Sequence, residues 1–114
     1  ERVAVLDLGT NTFHLLIAER SSGGGWTTVF KNKIYVKLAE EGIQRIGDAA
    51  FARGLEALRV FKAELDRAGI SGSRVKAFGT AALRTAENAP QFLEQATAII
   101  GTRPESNRAT GKRR

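Results

Sequence analysis

The sequence predicts an α/β domain with helices packed on a mixed sheet, its elements running strand, strand, strand, helix, strand, helix. Three observations predict it. Apolar and β-branched runs bounded by polar or glycine-rich turns open the chain and read as three strands. Two later stretches carry their apolar residues at helical spacing. Between them lies a short run, Val75-Lys76-Ala77-Phe78-Gly79, which reads as a fourth strand. Because a helix precedes it, a right-handed crossover lays it parallel to the first strand. The 114 residues suffice for one domain with its own core, and no internal repeat or second domain is visible.

The first strand, Val3-Ala4-Val5-Leu6-Asp7-Leu8, and the second, Phe13-His14-Leu15-Leu16-Ile17, flank the turn Gly9-Thr10-Asn11-Thr12. After a flexible turn at Ser21-Ser22-Gly23-Gly24-Gly25, residues 26–36 form the third strand, with alternation clearest at Ile34 and Val36. Short turns pair these strands antiparallel. Residues 37–47 form a polar connection that includes the acidic pair Glu40 and Glu41. Asp48 is the expected N-cap of a long helix with an apolar stripe at Phe51, Leu55, Leu58, Phe61, Leu65 and Ala68, closed by Gly69. Its charged residues, Arg53 among them, read as a solvated face. Asn88 and Gln91 suggest an amide capping box, with Pro90 in the first turn, for a last helix that ends at Gly101.

Composition removes several functions. There is no cysteine, which excludes disulfides, thiolate zinc sites and a cysteine nucleophile. The single histidine, His14, excludes a histidine metal cluster or a catalytic triad and reads as a structural residue of its strand. No apolar run is long enough to span a membrane and no signal peptide is visible, so a cytoplasmic protein fits. The chain opens at Glu1 without Met, which suggests a trimmed N-terminus. From Thr102 onward Arg103, Arg108, Lys112, Arg113 and Arg114 face Glu105 alone, so +4 of the net +6 sits in a terminal tail. Residues 105–114 are therefore expected to be a disordered or non-native tail, and nucleic acid is not the expected partner.

Two turns carry the residues that could do chemistry. Asp7 ends the first strand, and Gly9, Thr10, Asn11 and Thr12 offer backbone N–H groups, hydroxyls and an amide at one place. That set suits an anion with a cation held by the carboxylate. The same residue types also build ordinary polar hairpins, and these residues alone leave both readings open. Gly79 and Thr80 repeat the small-plus-hydroxyl pattern at the end of the fourth strand, and Arg84 adds a guanidinium able to fork onto phosphate oxygens. The carboxyl ends of neighbouring parallel strands are where open α/β sheets bind ligands.

Asp7-Leu8-Gly9-Thr10-Asn11-Thr12-Phe13-His14-Leu15 resembles the first phosphate loop of the exopolyphosphatase / guanosine pentaphosphate phosphatase family, of the actin-like ATPase superfold. Gly79-Thr80-Ala81-Ala82-Leu83-Arg84-Thr85-Ala86-Glu87-Asn88 is similar to that family's Thr-Ser-Ala-Leu-Arg-x-Ala-x-Asn segment. Val36-Lys37-Leu38, with the following glycine and long helix, fits in order and spacing. The resemblance covers most of residues 3–104. It implies a five-stranded ribonuclease H-like sheet, here lacking its last strand, with residues 1–104 as the N-terminal subdomain.

By that resemblance Asn11 and Arg84 contact the phosphate being removed, residues 9–12 and Thr80 cradle it, and Asp7 helps to hold a magnesium ion. The implied partners are polyphosphate or guanosine penta- or tetraphosphate. The family continues into a Ser-Gly-x-Glu-Glu-Ala segment, which supplies the base, and then a second phosphate loop. After Glu105-Ser106 this sequence resembles neither. The expectation is thus an inactive N-terminal fragment of a phosphoanhydride hydrolase, with no catalytic base of its own. A sugar- or acetate-kinase-like phosphotransferase subdomain and a non-catalytic binding or assembly module of the same fold are the alternatives. A sheet without its last strand leaves an edge bare, which makes a homodimer through that edge a candidate assembly.

Overall fold

The computed structural model describes residues 1–106. Its strands are β1 (Arg2–Leu8), β2 (Thr12–Arg20), β3 (Trp26–Tyr35), β4 (Val75–Gly79) and β5 (Glu105–Ser106). The helices are α1 (Asp48–Arg67), α2 (Ala81–Thr85) and α3 (Ala89–Ile100), and a 3-10 turn at Gly72–Arg74 leads into β4. The sheet order is β3-β2-β1-β4-β5. β1 and β3 flank β2 antiparallel, whereas β4 runs parallel to both β1 and β5. This is the mixed ribonuclease H-like sheet, in the expected element order.

Alternation on the central strands decides which face is core. Leu6 pairs with Leu15 and Ala77, and Leu8 with Phe13 and Gly79, so that Ala4, Leu6, Leu8, Phe13, Leu15, Ile17, Val75 and Ala77 turn to one side and are buried. A period of two places Val5, Asp7, His14, Leu16, Lys76 and Phe78 on the other face. His14 is exposed there beside Asp7, so its place in an apolar run does not make it a core residue.

Helices α1 and α3 cover the buried face. The α1 stripe holds at Leu55, Leu58, Phe61 and Leu65, and it is widened by the buried Ala50, Gly54 and Ala57. Phe92 of α3 is fully buried and meets Phe13 and Phe51 edge-on, at 6.3 and 5.1 Å between ring centroids. Gly54 makes room for it, since a Cβ there would lie 2.8 Å from the Phe92 ring.

The helix ends differ in part from the sequence reading. Gly47, not Asp48, is the N-cap of α1; Asp48 is its first helical residue and places a carboxylate in the first turn, where the helix dipole favours it. Gly69 ends α1 as expected, with φ +73°. Its N–H donates to Asp66 and that of Ile70 to Leu65, the paired bonds of a Schellman motif. Gly101 closes α3 with φ +84°. Asn88 makes no side-chain cap for α3. Its amide instead bridges the backbone of Ile46, accepting from the N–H and donating to the carbonyl, both at 2.9 Å. The amide is thus committed to a contact far away in sequence, which no local capping pattern can reveal.

The expected absence of the last strand is corrected at its start. Glu105 and Ser106 pair in parallel with Phe78 and Gly79, and Pro104 before them is buried. Two residues show no side-chain period, so the pattern could not announce them. The folded part therefore runs past 104, and the remainder of the basic tail, 107–114, lies outside the described residues.

Candidate functional site

The parallel register of β1 and β4 brings the two candidate turns together. Leu8 stands opposite Gly79, so residues 9–12 and 80–84 leave the sheet side by side. Thr80 ties them: its N–H and its Oγ1 both donate to the Leu8 carbonyl, at 3.2 and 3.3 Å. Gly9 lies directly beneath, with Thr80 Oγ1 4.0 Å from the position a Cβ would take.

Gly9 is needed at its position, but not for a left-handed φ. Its N–H donates to the Thr12 carbonyl at 3.1 Å, and a Cβ would sit 2.9 Å from that same oxygen. The turn is too tight there for any side chain. Among the described residues no acceptor faces the N–H groups of Thr10 and Asn11. Their carbonyls, by contrast, are anchored from below. The Asn11 carbonyl accepts from the N–H groups of Val36 and Lys37 at 2.8 and 2.9 Å, and that of Thr10 accepts from Leu38 at 2.8 Å. The peptide plane shared by the Thr10 carbonyl and the Asn11 N–H is thereby fixed, with that N–H turned away from Leu38.

The side chains of Asp7, Asn11 and Arg84 are exposed and make no hydrogen bond or ion pair among the described residues. Arg84 sits on the short α2, immediately after Thr80 and the buried Ala82 and Leu83. Glu87, a conceivable partner for it, reaches Arg45 instead at 3.8 Å. Asp7 is the only carboxylate on the two turns, and no cluster of three or more metal-ligating side chains occurs among the described residues.

One cation that the sequence reading assigned to a solvated face holds the segment that anchors the first turn. Arg53 Nε of α1 donates to the Val36 carbonyl at 2.9 Å, and its Nη2 lies 3.5 Å from the Lys37 carbonyl and 3.1 Å from Glu40. Lys37 is the one non-glycine residue with positive φ among the described residues, at +55°. Glu40, for which the sequence offered no partner, is thus the counterion of Arg53. Nothing in the helical pattern distinguishes Arg53 from Arg59 or Arg67, because its partners are backbone carbonyls of another element.

Comparison with known proteins identifies the family and the fold. The model of the Ppx/GppA phosphatase family matches residues 16–105. The chain is 38% identical over 100 residues to a guanosine-5'-triphosphate,3'-diphosphate pyrophosphatase of Aeromonas hydrophila, which covers 85% of this chain and 19% of that protein. The chain thus spans about a fifth of the length of the curated relatives it matches. Among solved structures, an exopolyphosphatase from Cytophaga hutchinsonii superposes with a TM-score of 0.85 at 31% identity, over 93% of this chain and 34% of that one. A Ppx/GppA family member from Aquifex aeolicus superposes with a TM-score of 0.82 at 27% identity, over 92% of this chain and 34% of the other. The matched region takes in β3, β4 and the second turn with Arg84, and the superposed fold carries the same sheet, so this chain belongs to the Ppx/GppA phosphatase family.

Proposed function

We propose that the two turns form one half of a phosphate clamp for a linear polyphosphate or a guanosine penta- or tetraphosphate. The whole protein would hydrolyse a terminal phosphoanhydride bond of that substrate. The observation that carries this reading is the parallel pairing of Leu8 with Gly79, sealed by the two bonds from Thr80 to the Leu8 carbonyl. It brings the end of β1, which leads into the unpartnered N–H groups and Asn11, beside the end of β4, which leads into the α2 segment that carries Arg84. Neutral and charged donors together suit a phosphoryl group, whose charge is spread over several oxygens.

Asp7, the one carboxylate on the two turns, fits magnesium as a single protein ligand. That ion needs few protein ligands and takes the rest from water and phosphate oxygens. When bound it would supply charge neutralisation to the phosphate, and Asp7 would hold it directly or through water. A cytoplasmic setting belongs to the same reading, and no helix among the described residues is long and apolar enough to cross a membrane.

Cleavage needs a base to orient water, and neither turn carries one besides the carboxylate assigned to the metal. The 114-residue chain by itself is therefore expected to release no phosphate from polyphosphate with magnesium; robust turnover would overturn the assignment of Asp7. Binding is the direct test. Inorganic pyrophosphate titrated calorimetrically with magnesium should bind, and Asn11→Ala should weaken it several-fold, the loss of about one neutral hydrogen bond of ~1 kcal/mol. Unchanged affinity in that variant would remove Asn11 from the clamp.

A further inference from the structure

We propose that Arg53 is a positioning residue for the phosphate turn, acting through the backbone of Val36 and Lys37; this rests on the phosphate reading of that turn. The chain of contacts is continuous. Arg53 holds the carbonyls of Val36 and Lys37 from the α1 side, and Glu40 pairs with the same Nη2 that reaches Lys37. The N–H groups of the same two residues converge on the Asn11 carbonyl, and the next N–H, from Leu38, takes the Thr10 carbonyl.

Successive N–H groups converge on one oxygen where the backbone switches hand, as in the nests that bind anions. Here the left-handed residue is Lys37, a residue with a Cβ, at a position that glycine would occupy without strain. An unfavourable conformation persists only where its surroundings over-determine it. Arg53 supplies that constraint, since its planar fork holds two consecutive carbonyls and a carboxylate in one fixed geometry, which a rotating ammonium does not. Release Arg53, and Lys37 is free to leave the left-handed region. The Thr10 and Asn11 carbonyls then lose their fixed donors, and the peptide plane that the Thr10 carbonyl shares with the Asn11 N–H is no longer held. Arg53 touches no ligand in this scheme; it sets the aim of groups that do.

The strain at Lys37 supplies a test that separates this role from general packing. If Arg53 works by holding a left-handed lysine, it should matter less where residue 37 adopts that conformation freely. Pyrophosphate affinity of the full chain is measured by calorimetry for Arg53→Met in two backgrounds, wild type and Lys37→Gly. The expected result is a loss of about tenfold in the first and less than threefold in the second, a coupling that neighbours acting through a shared backbone show. Equal losses in the two backgrounds, or no loss in the first, overturn the inference.

Should Arg53→Met fail to fold, Arg53→Lys keeps the charge for Glu40 with a single donor group. Amide hydrogen exchange at Val36 and Lys37 should then quicken in the lysine variant, and exchange at the wild-type rate overturns the inference. If Asn11→Ala weakens binding while Arg53→Met does not, the positioning role falls and the clamp stands. If the wild-type chain binds no pyrophosphate, both fall.

Discussion

Phe92→Ala will lower the stability of the chain by about 3–5 kcal/mol, the range for removing a buried aromatic from a packed core. The ring is fully buried, stands edge-on to Phe13 and Phe51, and fits the notch left by Gly54. It joins three elements at once: β2 through Phe13, α1 through Phe51 and Gly54, and its own α3. The surrounding groups belong to a sheet and a long helix, so the cavity can collapse only partly. Urea unfolding should show the midpoint fall with little change in slope. Val60→Ala, on the exposed side of α1, should stay within about 0.5 kcal/mol. A loss below about 1 kcal/mol for Phe92→Ala would mean that α3 does not pack on α1 and β2 through this ring.

Arg84→Ala will weaken pyrophosphate binding by about ten- to a hundredfold, corresponding to the ~1.5–3 kcal/mol of a charge-assisted hydrogen bond. Its guanidinium is exposed and has no acidic partner among the described residues, so little stability should change with it. Arg84→Lys should recover only part of the affinity, because an ammonium cannot fork onto two phosphate oxygens. Binding in the wild type should fall as salt rises, and that dependence should shrink in Arg84→Ala. Arg45→Ala serves as the control, since Arg45 is engaged with Glu87 and lies on neither turn. Equal losses for Arg45→Ala and Arg84→Ala would reduce the effect to general positive charge and dissolve the clamp.

The fold was legible where side chains obey a period. Val3 to Leu8 and Phe13 to Ile17 alternate, α1 repeats its apolar residues at helical spacing, and Gly69 and Gly101 mark helix ends that do adopt left-handed φ. These patterns fix which face is buried, and with the handedness of crossovers they set β4 parallel to β1. The juxtaposition of the two turns follows from that register, so it could be read in advance.

What escaped the sequence consists of bonds between a side chain and a distant backbone. Asn88 resembles a cap and instead holds Ile46, and Arg53 resembles a surface charge and instead holds Val36. A backbone carbonyl has no residue identity, so no spacing rule points to it. The strained Lys37 escaped for the same reason, because its conformation is imposed by the partners of its peptide groups. Gly9 is required by a carbonyl 2.9 Å from its missing side chain and not by a special dihedral, a close contact that no residue pattern announces.

The bond from Thr80 to Leu8 joins positions 72 apart in sequence. The β1–β2 hairpin can assemble from local contacts alone and would display the first turn early in folding. The second turn reaches it only after α1 has formed and β4 has docked in parallel, the kind of distant pairing that proceeds slowly. A chain caught before that step would own Asn11 without Arg84. Ligand capture therefore serves as a clock for the last long-range event of folding: in a stopped-flow refolding experiment, pyrophosphate should register only molecules whose parallel strand has arrived.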